Sequence, residues 1–145
     1  MDINIDKATT ADAPTILALL TRNTLPVDGL IDHLDTALVA RAEGRIVGSA
    51  ALEVYRDGAL LRSVAVDPGF RGHGIGQRLT EAALGLAGSL GVPDVYLLTT
   101  TAQGFFPKFA FAPIDRTLVP AGVQQSVEFR RACPASAIVM RRRLD

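Results

Sequence analysis

Residues 64–76 read Val-Ala-Val-Asp-Pro-Gly-Phe-Arg-Gly-His-Gly-Ile-Gly. An apolar run stops at Asp67-Pro68-Gly69, glycine then returns at positions 72, 74 and 76, and a helical period begins at once. That order constrains the chain more than any other feature. A strand ends, a tight turn follows, and a helix starts with its first-turn amides unpaired and partly positive. Glycines let an anion approach that backbone with no Cβ in the way. Strand, glycine turn and helix start together make a phosphate site. Spacing narrows the kind of site. No Gly-Lys-Ser/Thr follows, and Gly72, Gly74 and Gly76 do not fit G-x-G-x-x-G. What fits is Arg-x-x-Gly-x-Gly over residues 71–76.

The rest of the chain alternates between strand-like and helix-like periods, as a layered α/β or α+β domain does. Residues 2–7 alternate as a short strand. Thr10 can cap a helix that has Asp12 in its first turn, tolerates Pro14 early, and buries Ile16, Leu17, Leu19 and Leu20. Residues 23–34 hold at most a short helix near 28–33. Strand signals at 36–42, 46–55 and 59–66 are separated by Glu43-Gly44-Arg45 and Arg56-Asp57-Gly58, which predicts three antiparallel strands. A helix over 74–88 should end at Gly91, with a strand at 94–100 after it. Residues 102–109 allow a short helix despite Pro107. Pro120 can open a helix to about residue 132, which Cys133-Pro134 breaks, and 135–141 reads as the last strand.

Length and composition bound the function. The chain has 145 residues and 15.4 kDa, enough for one domain over 1–145 and not two. Fifteen basic and fifteen acidic residues give zero formal charge and a pI near 6.7, which disfavours a nucleic-acid binder. One cysteine allows no internal disulfide, and no Cys/His set has metal spacing. The start MDINIDKATTADAP has no basic flank or apolar run, and no stretch approaches the roughly 20 apolar residues of a membrane span. A soluble cytoplasmic domain with no membrane partner is the expectation.

The 71–76 motif, with the Val-Ala-Val-Asp-Pro before it and the apolar helix after it, resembles the acyl-CoA pyrophosphate loop of the GNAT superfamily of N-acetyltransferases. The order of elements is similar over nearly the whole chain. The resemblance implies a mixed, mostly antiparallel sheet of about seven strands flanked by helices, splayed into a V-shaped acyl-CoA cleft between the strand ending at Val66 and the strand at 94–100. It implies acetyl transfer from acetyl-CoA, with no metal, to a small-molecule amine. The backbone of Arg71, Gly72, His73, Gly74, Ile75 and Gly76 would hold the pyrophosphate. Val64, Ala65 and Val66 would hold the pantetheine arm, with the Val66 backbone polarising the thioester carbonyl. Residues 99–111, TTTAQGFFPKFAF, resemble the stretch that lines that arm, including Thr99 and Phe106.

Ala110-Phe111 replaces the family's Gly-Phe, and two further positions depart from the family pattern. Phe106 stands where many members have a tyrosine that protonates the thiolate, and Leu60 where many have a glutamate. The acid–base candidates left are Glu53, Tyr55, Cys133 and water. Leu-Thr-Thr with Phe-Phe also looks like the acetyltransferase domains of N-acetylglutamate synthases. LLRSVAV, FFPKFAF and CPASA are similar to a group found with arsenic-resistance genes. Both point to an amino acid, or a toxic analogue of one, as acceptor. Arg62 lies on the central strand two residues from Val64, so its side chain shares Val64's face, where a guanidinium suits a substrate carboxylate as well as it suits a surface strand pair. Cys133 reads as a small buried hydrophobe, His33 as a surface residue and His73 as an exposed loop residue serving through its backbone. Arg141 to Arg143 read as a solvated face, and Phe105, Phe106, Phe109 and Phe111 as core and pocket wall. Acetylation of a protein amine, or a CoA sensor without turnover, stays open beside the small acceptor. A homodimer through the last strand or helix is compatible with the pattern.

Overall fold

The computed structural model describes residues 2–132 and 136–144. Strands β1 (Ile3–Lys7), β2 (Ala37–Ala42), β3 (Arg45–Tyr55), β4 (Gly58–Val66), β5 (Asp94–Thr99), β6 (Ala112–Pro113) and β7 (Ile138–Arg143) form a seven-stranded sheet in the order β1-β2-β3-β4-β5-β7-β6. Every pairing is antiparallel except β4 with β5. The expected mixed, mostly antiparallel sheet is therefore what forms. The β2–β3 turn puts Glu43 at φ 52 and Gly44 at φ 78, the mirror-image turn that suits strand twist.

Strand alternation assigns the two faces. Helix α1 (Ala13–Arg22) packs Ile16, Leu19 and Leu20 on Ala37, Val39 and Ala51. Helix α2 (Ile75–Ser89) packs Ile75, Leu79 and Ala83 on Leu38, Ala50 and Leu52, the other face. A third cluster gathers Leu60, Tyr96 and Leu98 beneath Val123 of the short helix α3 (Ala121–Gln124).

Two irregularities of β4 create the opening. Its parallel pairing with β5 exists only at Ala59–Val95 and Leu60–Tyr96, so beyond Leu60 the strands part. Its pairing with β3 jumps from Ala51–Arg62 to Ser49–Ala65, leaving Ser63 and Val64 opposite a single residue. Such a bulge bends a strand and re-aims its side chains. Ser63 takes a left-handed φ of 59, held by the Ser49 hydroxyl donating to its carbonyl at 2.7 Å and Arg62 Nε donating to its hydroxyl at 3.0 Å. The bulge overturns the expectation that Arg62 and Val64 share a face. Leu61, Val64 and Val66 join the α2 cluster, while Ala65 joins the α1 cluster.

Other expectations shift for local reasons. Thr9, not Thr10, precedes the first helical turn, and the Asp12 carboxylate accepts from both its amide and its hydroxyl at 2.9 and 3.1 Å. Residues 30–36 form a 3-10 turn later than the short helix foreseen. The helix expected from Pro120 to about residue 132 stops at Gln124. The buried Ser126 hydroxyl accepts from the Phe129 amide at 3.0 Å, and a separate π turn, Glu128–Ala132, follows. Only Phe106–Phe109 of 102–109 is helical, ended by Ala110 at φ 66. Strand β6 was not foreseen. The last strand begins at Ile138, and Cys133 lies outside the described residues.

Candidate active site

The parting of β4 and β5 opens a cleft of about 640 Å³. One end is the turn between β4 and α2. Gly72 and Gly74 sit at φ +86 and +73, and the space where a Cβ would lie is open at both. The first helical bond of α2 runs from the Arg78 amide to the Gly74 carbonyl at 3.0 Å, so the amides of Ile75, Gly76 and Gln77 precede any helical acceptor. An open, glycine-lined helix start with unpaired donors fits an anionic phosphate group. Arg71 Nη2 donates to Asn23 Oδ1 at 2.7 Å, and Arg22 pairs with Asp67 at 3.2 Å, tying this turn to the end of α1.

The exposed edge of β4 supplies the middle of the cleft. The Asp67 amide donates to the Val47 carbonyl at 2.7 Å, so by alternation the amide and carbonyl of Val66 point away from β3, into the opening. Opposite stands a wall built by 99–108. The Thr99 hydroxyl accepts from the Ala102 amide at 2.9 Å, and Phe106 is buried edge-on against Phe105 and Phe111. Lys108 places its ammonium 4.4 Å from the Phe105 ring centre.

At the inner end lies a buried polar cluster. Arg62 Nη1 donates to Glu53 Oε2 at 2.7 Å, and its Nε is 3.2 Å from Glu128 Oε2. Glu53 Oε1 accepts from the Tyr55 hydroxyl and lies 3.3 Å from His33 Nε2. Burial first, and then the bond to Glu53, raise the Tyr55 pKa far above the ordinary phenol value, so Tyr55 is a standing donor.

The cleft is lined by Arg62, Val64, Ala65, Val66, Arg71, Gly72, Gly74, Ile75, Gly76, Thr99 and Phe106 of the residues singled out from sequence. His73 is exposed in the loop and is not among the lining residues. Glu53 and Tyr55 lie behind Arg62 rather than on the cleft wall, and Leu60 is core. Sequence reasoning missed Glu128 and the segment 23–26, both of which line the cleft, and the contact of His33 with Glu53. No local pattern marks them, since their partners are distant in the chain. Among the described residues no group of three or more His, Cys, Asp or Glu side chains could hold a metal ion.

A family model described as an acetyltransferase (GNAT) domain matches residues 33–113. The chain belongs to this family of GNAT acetyltransferases. An uncharacterised N-acetyltransferase of Chlorobaculum tepidum is 32% identical over 117 residues, covering 78% of this chain and 75% of that protein. An amino-acid acetyltransferase of Mycobacterium tuberculosis is 32% identical over 129 residues, covering 82% and 74%. A Mycobacterium tuberculosis structure in complex with CoA and NLQ superposes with a TM-score of 0.84 at 28% identity, over 98% of this chain and 99% of that one. The N-acetylglutamate synthase of Neisseria gonorrhoeae, complexed with CoA and N-acetyl-glutamate, shares the fold at a TM-score of 0.85 and 21% identity, over 100% of this chain and 36% of that one.

Proposed function

We propose that this chain transfers the acetyl group of acetyl-CoA to the primary amine of a small carboxylate-bearing acceptor, an amino acid or a toxic analogue of one. Attack is direct, within a ternary complex. The thioester supplies an activated acyl group. The chain's own part is to bind, align and polarise. Amides of 71–76 hold the pyrophosphate, the backbone of Val64, Ala65 and Val66 holds the pantetheine arm, and the Val66 amide stabilises charge developing on the carbonyl oxygen. Alignment of the amine with that carbonyl contributes much of the remaining acceleration.

One observation carries the reading. The amide cradle of α2 and the wall 23–26 beside α1 belong to opposite faces of the sheet, yet both line the same cleft along the open edge of β4. That arrangement suits two reactants entering from opposite sides and meeting at Val66. The name of the Mycobacterium tuberculosis relative, an amino-acid acetyltransferase, supports an amino acid as acceptor. The hydrophobic segment 105–111, whose Phe105 and Phe106 line the cleft, supports a small acceptor over a protein amine. We place the reaction in the cytoplasm, and arsenical amino acids belong to the same acceptor class.

The test is thiol release from acetyl-CoA by purified protein against free amino acids, phosphonate and arsenical glutamate analogues, polyamines and lysine peptides. Selective turnover of one carboxylate-bearing amine is expected. Turnover of peptides alone would replace the acceptor class, and tight CoA binding with no turnover anywhere would favour a sensor.

A further inference from the structure

We infer that Arg62 is a positioning residue, which pins the segment 23–29 as the acceptor-side wall and does not itself receive the acceptor's carboxylate. The inference rests on the acetyl-transfer reading for its consequence in turnover, and on geometry alone for the pinning.

A guanidinium has five N–H donors. The Arg62 side chain is 0% exposed, and four of its five donors have partners within the protein. Nε donates to Ser63 Oγ at 3.0 Å with Glu128 Oε2 also at 3.2 Å. Both protons of Nη1 are used, on Glu53 Oε2 at 2.7 Å and the Asp28 carbonyl at 2.6 Å. Nη2 donates to the Pro26 carbonyl at 3.3 Å. Two buried carboxylates, Glu53 and Glu128, already face this cation, so a substrate carboxylate on it would sit beside like charge.

Two of these bonds reach backbone carbonyls of one segment, on either side of Val27. Gly29, at φ +81, brings the chain close enough that an added Cβ would stand 3.4 Å from Arg62 Nη1. The same segment is tethered at its start by Arg71, from the cofactor loop, to Asn23. It is thus a strap tied at both ends, with Thr24, Leu25 and Pro26 lining the cleft between the ties. Behind Arg62, Glu53 is fixed by Tyr55 and His33, so the anchor has little freedom.

The experiment uses Arg62→Lys, because a lysine can still pair with Glu53 but lacks the planar fork that reaches both carbonyls. Amide exchange over residues 24–30 is compared with that over α2, and KM is measured for an amino-acid acceptor and for its carboxamide. Pinning predicts about tenfold faster exchange over 24–30 with α2 unchanged. It predicts a KM about tenfold higher for both acceptors, with kcat and the KM for acetyl-CoA held. A rise confined to the carboxylate acceptor, with exchange unchanged, makes Arg62 a substrate ligand and overturns the inference, as does no change in either. If Arg62→Lys fails to bind CoA through misfolding, Glu53→Gln should loosen 24–30 in the same direction, and unaltered exchange there also overturns it. If the wild type acetylates no amine, the proposed function fails while the exchange result still decides the pinning.

Discussion

Phe106 occupies the position at which the family resemblance implies a tyrosine, and its ring, packed 5.1 Å from that of Phe105 and 5.8 Å from that of Phe111, has no proton to give a departing thiolate. Phe106→Tyr should raise kcat by about 10²-fold, the lower end of the 10²–10⁴ range of general acid–base help. Its KM values should stay as they were. An unchanged kcat would show that thiolate departure needs no such donor here. Asp12 makes a second prediction at this scale. The Thr9 amide, above all, holds its pKa below the ordinary 3.8, aided by Arg41, against the opposing effect of burial. A depressed carboxylate contributes stability above its unfolded value, and that contribution disappears as pH falls through the folded value. The stability gap between wild type and Asp12→Asn should therefore be full at neutral pH and close progressively below pH 3.8 in denaturant titrations. Single residues were legible where chemistry is local. The glycines of 72–76 declare a turn and a helix start by themselves, whereas the contact of Glu128 with Arg62 joins residues far apart in the chain.

At the scale of elements, α2 must lie close to the sheet for its first turn to line the cleft. Gly48 on β3 permits this, since a Cβ there would stand 2.8 Å from Leu79 Cδ1, 3.1 Å from Ile75 Cγ2 and 3.1 Å from the Ala65 carbonyl oxygen. Gly48→Ala should therefore lift α2 and cost about 1–3 kcal/mol of stability, as overpacking does. A lower thermal midpoint together with weaker acetyl-CoA binding is the expected pair of results. A lower midpoint with unaltered binding would separate α2 placement from the cradle. Elements set by adjacent turn chemistry, β2 to β4 and α2, were legible in the sequence. Residues 120–132 were not, because the Ser126 hydroxyl competes locally with a continuous helix and the apolar period does not report that competition. Strand β6 is too short to carry a period at all.

For the whole molecule, the decisive feature is that β1–β4 and β5–β7 meet directly through two parallel residue pairs before the sheet opens. A ligand seated in the opening touches both halves. Binding only the folded form, acetyl-CoA at a hundred times its Kd should stabilise the protein by about 2.7 kcal/mol. For a domain of this size that is a rise in Tm of roughly 5–10 °C, read by thermal melts with and without the cofactor. No shift would mean that the cleft does not hold the cofactor in the folded state.

What the sequence determined by itself was the set of local instructions: three strands joined by turns, a glycine loop opening a helix, and apolar stripes that require layers on both faces of a sheet. These depend on neighbours in the chain, and backbone sterics and hydrogen bonding enforce them wherever they occur. Only the tertiary structure decided that Arg62 and Val64 take opposite faces. A bulge at Ser63, stabilised by partners on β3, reverses the alternation that the strand pattern implies. The union of Glu53, Arg62 and Glu128 at the closed end of the cleft arises the same way, because burying charge forces distant residues to satisfy one another.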